Sequence, residues 1–338
     1  MANSQIPTKS KSGGSSVVAL CGGIGGAKLA LGLYRVLDPN TLTVVINTGD
    51  DFEHLGLHIS PDIDTVTYTL ADKNNQETGW GRRDETWNFM DSLAELSGET
   101  WFALGDRDLA IHVERTRRLR AGEGLGEITS DIAGKFGIGA RLLPMSDDAA
   151  ATIIQTAAGP LTFQDYFVRM KCKPIIQKVL YEQAQSAIPN AEAMAALRQS
   201  ELRAIIVCPS NPFLSIDPIL AVPGIRNAIR ESPAPVIGIS PIIGGEAIKG
   251  PTAKIMAELF IPSTARAIAE HYDGMLDGYV IDVTDRDEAK DMPIPVMATR
   301  TLMKSIGDRE NLARQAIGFA DTLSVADHIV GPGERQDA

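Results

Sequence analysis

Along this chain, short unbroken apolar runs alternate with longer segments in which apolar residues recur every three or four positions. Runs of the first kind predict strands buried on both faces; the second kind predicts amphipathic helices. The predicted strands are Val17–Cys21, Leu42–Asn47, Ala204–Cys208, Val236–Ile239 and Tyr279–Val283, with Trp101–Leu104 as a shorter one. Helical periodicity covers Lys28–Leu37, Thr86–Leu96, Leu109–Leu119, Ala191–Gln199, Thr252–Leu259 and Asn311–Ala320. This alternation predicts an α/β fold: a Rossmann-like, doubly wound, mainly parallel sheet with right-handed crossovers.

The pattern changes between residues 121 and 199. Ile153–Thr156, a Gly159-Pro160 turn and Leu161–Phe163 read as an antiparallel hairpin. Residues 121–199 are therefore expected to form a smaller α+β insertion capping the carboxyl ends of the strands. Residues 17–120 and 200–325 then make the core. Residues 1–16, polar and rich in Ser, Gly and Lys, read as a disordered tail and not a signal peptide, and residues 326–338 as a loose end.

Ligands of open α/β sheets sit outside the carboxyl ends of the strands. The loops after Cys21, Asn47, Leu104, Cys208 and Ile239 gather there, and they carry the candidate chemistry. The first is Gly22-Gly23-Ile24-Gly25-Gly26-Ala27-Lys28. It lacks the third glycine of a dinucleotide fingerprint and the Lys-Ser/Thr pair of a P-loop. A glycine turn opening a helix still offers backbone N–H groups to a phosphate, with Lys28 as charge partner. A tight turn without ligand is the plainer reading, but four glycines exceed what a turn requires.

Carboxylates follow at once: Asp50 and Asp51, then Asp62 and Asp64. Asp62 or Asp64 alone would make an ordinary helix cap. Four acids beside a phosphate turn repel one another unless a hard cation such as Mg²⁺ sits among them. Ser210 and Asn211 present polar groups in a loop fixed by two prolines, and Ser240, Gly244 and Gly245 repeat that design after the next strand. Asp106 and Asp108 read equally well as a helix cap with an ion pair or as site residues. Trp80, between two glycines, offers an aromatic wall for a flat ligand.

Composition narrows the class. The chain has 338 residues, 44% hydrophobic and 22% charged, as for a globular protein. A net charge of −11 argues against a nucleic-acid footprint. No window supplies the ~18 apolar residues of a membrane span. Cys21, Cys172 and Cys208 have neither zinc-site nor disulfide spacing, which fits reduced thiols in a cytoplasm. No Ser-His-Asp or Cys-His set is apparent.

Taken together, GGIGGAKL, NTGDD, ISPDIDTVTYTL, GWGRRDETW, LGDRDLAIH, LLPMSDD, FQDYFV, PSNPFLSIDPIL and SPIIGGEAIKGP give a chain that resembles the 2-phospho-L-lactate and phosphoenolpyruvate transferases (CofD/FbiA) of coenzyme F-420 biosynthesis. The resemblance covers roughly residues 17–325. It implies transfer of a phospho-lactyl, phosphoenolpyruvyl or phosphoglyceryl unit from a guanosine diphospho-donor to the ribityl hydroxyl of deazariboflavin (Fo), with release of GMP. It further implies Mg²⁺ on Asp50, Asp62 and Asn211. Asp50, Asp51 and Asp64 would be catalytic, with Asp64 also meeting the deazaflavin. The nucleotide would be held by Gly22, Gly23, Gly25, Gly26, Lys28, Ser210, Asn211, Ser240, Gly244 and Gly245. A homodimer is the family-level expectation. The rival readings are a related nucleotide-sugar-binding regulatory protein and a Rossmann dehydrogenase; the failed fingerprint and Asn47 at the second strand end weaken the latter.

Overall fold

The computed structural model describes residues 15–247, 250–272 and 274–329. The tail expected at residues 1–16 lies almost wholly outside them, as do Lys249 and residues 330–338.

Seven strands form the central sheet: β1 (Ser16–Cys21), β2 (Leu42–Ile46), β3 (Arg141–Pro144), β4 (Leu202–Val207), β5 (Val236–Ile239), β6 (Gly278–Asp282) and β7 (Val296–Thr299). Their spatial order is β3-β2-β1-β4-β5-β6-β7, and every neighbouring pair is parallel. The chain thus winds outward from β1 in one direction, then returns to β4 and winds outward in the other. This is the doubly wound arrangement, with its switch point between β1 and β4.

Alternation along β1 divides the core in two. Val17, Ala19 and Cys21 face Leu29 and Leu33 of α1 (Gly23–Val36), Ile63 and Val66 of α2 (Pro61–Leu70), and Leu312 and Ala316 of the last helix. Val18 and Leu20 face the opposite layer, with Ile154, Ile219 and Met256. The remaining helices used below are α3 (Asp106–Arg120), α4 (Leu125–Lys135), α5 (Ala191–Leu197) and α6 (Ile306–Ile329).

Four expectations change. The insertion begins later than residue 121: α4 packs in the α1 layer through Leu125 and Ala133, and β3 extends the main sheet beside β2. β3 and β7 escape sequence reading because they are four-residue edge strands, and β7 is half-exposed without a continuous apolar run. Trp101–Leu104 is no strand; Trp101 and Phe102 instead pack their rings against His54, with centroids 5.2 and 5.7 Å away. Residues 326–329, expected to be loose, continue α6. The hairpin is present as Ala151–Thr156 and Gly159–Thr162, joined by Ile176–Glu182 into a three-stranded antiparallel sheet. Its Ile154 and Ile176 share a core with Leu20 and Val207, so it extends the main body.

α1 and α6 cross at Gly32. A Cβ there would stand 2.2 Å from the carbonyl oxygen of Arg309. Alanine would gain about 1 kcal/mol of helix propensity. Backbone in the way cannot swing aside as a side chain can, so overpacking wins, at about 1–3 kcal/mol. Gly32→Ala should therefore lower the urea midpoint; an unchanged or raised midpoint would show that the helices are free to part.

Candidate active site

A cavity of about 740 Å³ lies outside the carboxyl ends of β1, β2, β4 and β5, at the switch point. Its polar side is built from three loops. The first is the glycine turn, which is the opening turn of α1 itself: the helix begins at Gly23, whose φ is +65°. Packing explains the missing side chains of its neighbours. A Cβ on Gly25 would lie 2.4 Å from the carbonyl oxygen of Pro209, and one on Gly26 2.4 Å from Ser210 Oγ. Two N–H groups of the turn are already taken. Gly23 donates to Asp62 Oδ1 at 2.7 Å, and Gly22 to Ser210 Oγ at 3.2 Å. The N–H groups of Ile24 and Gly25 have no intrahelical acceptor in a first turn, and both residues line the cavity. Lys28 lines it too, with Nζ donating to the Met303 carbonyl at 3.3 Å.

The acids separate into distinct environments. Asn47 Nδ2 sits 2.9 Å from Asp62 Oδ2, 3.2 Å from Asp50 Oδ1 and 3.3 Å from the Leu214 carbonyl. Gly49 N–H donates to its oxygen and so fixes the amide's orientation. Asp50 and Asp62 are both buried and both line the cavity, and among the described residues neither has an ion-pair partner. Burial, then the charges of Asp62 and Asp51, push the Asp50 carboxyl well above the carboxylate range. Burial pushes Asp62 up to about 6, against the opposing hydrogen bonds from Asn47 and Gly23. Two buried like charges sharing a single amide donor are costly to keep ionised.

Asp51 and Asp64 do not join that pair. Asp51 does not line the cavity; it accepts from Ser60 Oγ at 2.7 Å and meets His58 Nε2 at 3.1 Å. Asp64 lines the cavity but is gripped by both terminal nitrogens of the buried Arg115. His112 lies between Asp64 and Asp108, its ring nitrogens 3.7 and 3.5 Å from their carboxylates, and Tyr68 donates its hydroxyl to Asp108. Asp64, Asp108 and His112 have atoms close enough to share a metal ion, within 4.8 Å. The guanidinium on Asp64 instead balances the charge, and the set reads as a buried ion network.

Two other groups of candidate residues are engaged elsewhere in the structure. Asn211 lines the cavity, but its amide oxygen caps the N–H groups of Phe213 and Leu214 at 2.9 and 3.0 Å, and its Nδ2 donates to Thr252 Oγ1. Both oxygen lone pairs are thus in use, so a metal would have to displace the cap. Gly244 and Gly245 form the turn between Ile242–Ile243 and Glu246–Ala247, outside the cavity lining, and the Gly244 N–H is already donated to the Asp285 carboxylate. Gly26 is likewise outside the lining. Gly22, Ser210 and Ser240 line it.

Much of the remaining lining is aromatic. Trp101, Phe102, Phe163 and Phe167 belong to it, with Trp80 half-exposed at the rim. Phe163 and Phe167 stack at 5.3 Å, and the Arg169 guanidinium covers Trp101 at 4.3 Å.

The sequence profile described as 2-phospho-L-lactate transferase CofD matches residues 17–307. The chain belongs to the CofD family. Among CofD-type relatives, a phosphoenolpyruvate transferase of Streptomyces griseus is 40% identical over 91% of this chain and 99% of its own length. A 2-phospho-L-lactate transferase of Methanocaldococcus jannaschii is 36% identical over 91% and 99%. The crystal structure of a UPF0052-family protein from Bacillus halodurans superposes with a TM-score of 0.62 at 16% identity, covering 90% of this chain and 99% of that one; at this identity it bears on the fold alone. Family and relatives together support a CofD-type transferase.

Sequence reading held Asp108 as a candidate but missed its partners in this CofD site. Asp108, His112 and Arg115 are spaced by four and three residues, which puts them on one face of α3. That spacing was the available signal. Phe163 and Phe167 carried the same four-residue signal, but the helical stretch of residues 163–169 that holds them is too short to show periodicity.

Two outcomes follow from these environments. The folded-state pKa of Asp62, about 6, exceeds its ordinary 3.8, so the folded protein binds the extra proton between those values. With metal chelated, wild type should lose stability relative to Asp62→Asn as pH rises from 4 to 7, by ~2 kcal/mol. Parallel stability profiles would refute the shift; a constant offset from rearranged hydrogen bonds would not. Arg115→Met leaves Asp64 buried without its cation, and chemical denaturation should show a loss of about 3–5 kcal/mol.

Proposed function

We propose that this chain moves a phospho-lactyl, phosphoenolpyruvyl or phosphoglyceryl unit from a guanosine diphospho-donor to the ribityl hydroxyl of Fo, releasing GMP. The observation that carries this reading is one cavity with two kinds of lining. It holds both the opening turn of α1 with the buried Asp50–Asp62 pair and a set of aromatic side chains, Trp101, Phe102, Phe163 and Phe167. The first suits a diphosphate and its cation, the second a flat tricyclic ring.

The donor set fits Mg²⁺. Asp50 and Asp62 are hard oxygen ligands whose mutual repulsion under burial a divalent ion relieves. Bound there, Mg²⁺ would neutralise the diphosphate and the departing GMP. Asn211 contributes as the cap that shapes the loop after β4, with its Nδ2 held on Thr252. The first-turn N–H groups and Lys28 would hold phosphate oxygens. Asp64, fixed by Arg115, would be a rigid acceptor for the attacking hydroxyl. Transfer through a loose transition state needs that hydroxyl placed in line more than it needs it deprotonated. A strong base is therefore not required of Asp64.

The test is incubation with Fo, Mg²⁺ and each of the three guanosine diphospho-acids, following GMP release and product mass. One donor should give a mass-shifted product. Asp50→Asn should cut turnover about 10³-fold, the equivalent of roughly 4 kcal/mol, with the fold intact by circular dichroism. A folded protein that binds guanine nucleotide yet forms no product with any donor would instead support the nucleotide-binding regulator.

A further inference from the structure

On the flank of the sheet, away from the main cavity, a second cavity of about 150 Å³ lies where α1, α2 and α6 meet. Leu31, Leu70 and Ile306 provide its apolar surface. Arg309 of α6 and Arg35 from the last turn of α1 provide its charge. Arg309 is only 7% exposed, and its Nε is buried without a hydrogen-bond partner. Among the described residues no carboxylate pairs with either arginine. Burial, then the positive charge of Arg35, lower the Arg309 pKa, so the two cations are close enough to repel.

A buried guanidinium beside a second cation, with an unused donor, is expensive unless something neutralises it. Elsewhere in this protein such groups are paired: Arg115 has Asp64, and Arg118 has Glu123 and Asp131. Asp72, the one acid lining this cavity, is two-thirds exposed and lies 3.5 Å from Arg83, so its charge is largely screened. Neutral donors complete the lining. Tyr34 Oη accepts from the Gly139 N–H, which leaves its own proton to donate, and Gln76 adds an amide.

We infer that this cavity is a second anion site, and that it takes a phosphate group. Two guanidinium groups match a dianion in charge, and their planar forks suit phosphate oxygens. The volume admits one phosphate, either free or as the end of a larger molecule whose remainder passes out beside the exposed Arg35. The inference does not depend on the transferase reading, because the main cavity shares none of these residues.

Calorimetry and thermal melting of the full chain with inorganic phosphate, against chloride at matched ionic strength, test it. Phosphate that enters the main cavity does so equally in variants altered here, so the difference between proteins reports on this site alone. Arg309→Met and Arg35→Ala should each weaken the phosphate response at least tenfold. Arg309→Met should also melt no lower than wild type in phosphate-free buffer, since it removes an uncompensated buried charge and keeps the side-chain stem. Arg35→Ala, at an exposed position, serves if the first variant does not fold. Glycerol 3-phosphate is the second arm: comparable binding assigns the site to the phosphate of a larger molecule, and binding of phosphate alone assigns it to the free anion. An identical phosphate response in wild type and the folded variants would overturn the proposal.

Discussion

One amide group ties the candidate active site together. Asn47 Nδ2 reaches Asp50 in its own loop, Asp62 at the start of α2 and the Leu214 carbonyl beyond β4. Without it, two buried carboxylates would face each other with no shared donor. With it, they are held near one another while remaining short of charge compensation. The rest of the polar wall is arranged around that imbalance. Asp62 in turn holds the Gly23 N–H and so fixes the first residue of α1.

The sheet explains why these loops meet at all. Reversal of strand order between β1 and β4 leaves the loops after β1 and β4 with no strand between them. The glycine turn can then press directly on the Pro209 carbonyl through Gly25 and on the Ser210 hydroxyl through Gly26, contacts that a side chain at either position would prevent. These glycines therefore serve two ends. They let the two loops touch, and by doing so they leave the opening turn of α1 facing an open cavity.

Much of this was legible in the sequence. The buried runs at Val17–Cys21 and Leu42–Asn47 located the central strands because a strand covered on both faces has little freedom in composition. Edge strands lack that constraint, which is why β3 and β7 were silent. At the site, spacing alone located Asp50 and Asp62 but did not set them apart from Asp51 and Asp64, and only the family resemblance gave the four different roles. The four differ in what surrounds them, a matter of α3 and of the loop after β4. Asp64 lies 51 residues from the Arg115 that neutralises it. Asn211 shows the converse: a polar residue in a cavity-lining loop whose oxygen is spent on holding that loop's own backbone, which spacing alone does not reveal.

The hydrogen bonds between Gly22 and Ser210 span 188 residues of chain. During synthesis β1 and β2 emerge early, but β4 follows only after β3 and the antiparallel sheet have been made. At ribosomal rates of 5–20 residues per second, the interval from Cys21 to Leu202 lasts roughly 10–40 s. For that time β1 has an open, apolar edge ready to pair with another strand. The nascent chain is thus most exposed to misassembly at the strand that later becomes the centre of the sheet, a vulnerability that a holdase chaperone on the ribosome would be positioned to cover.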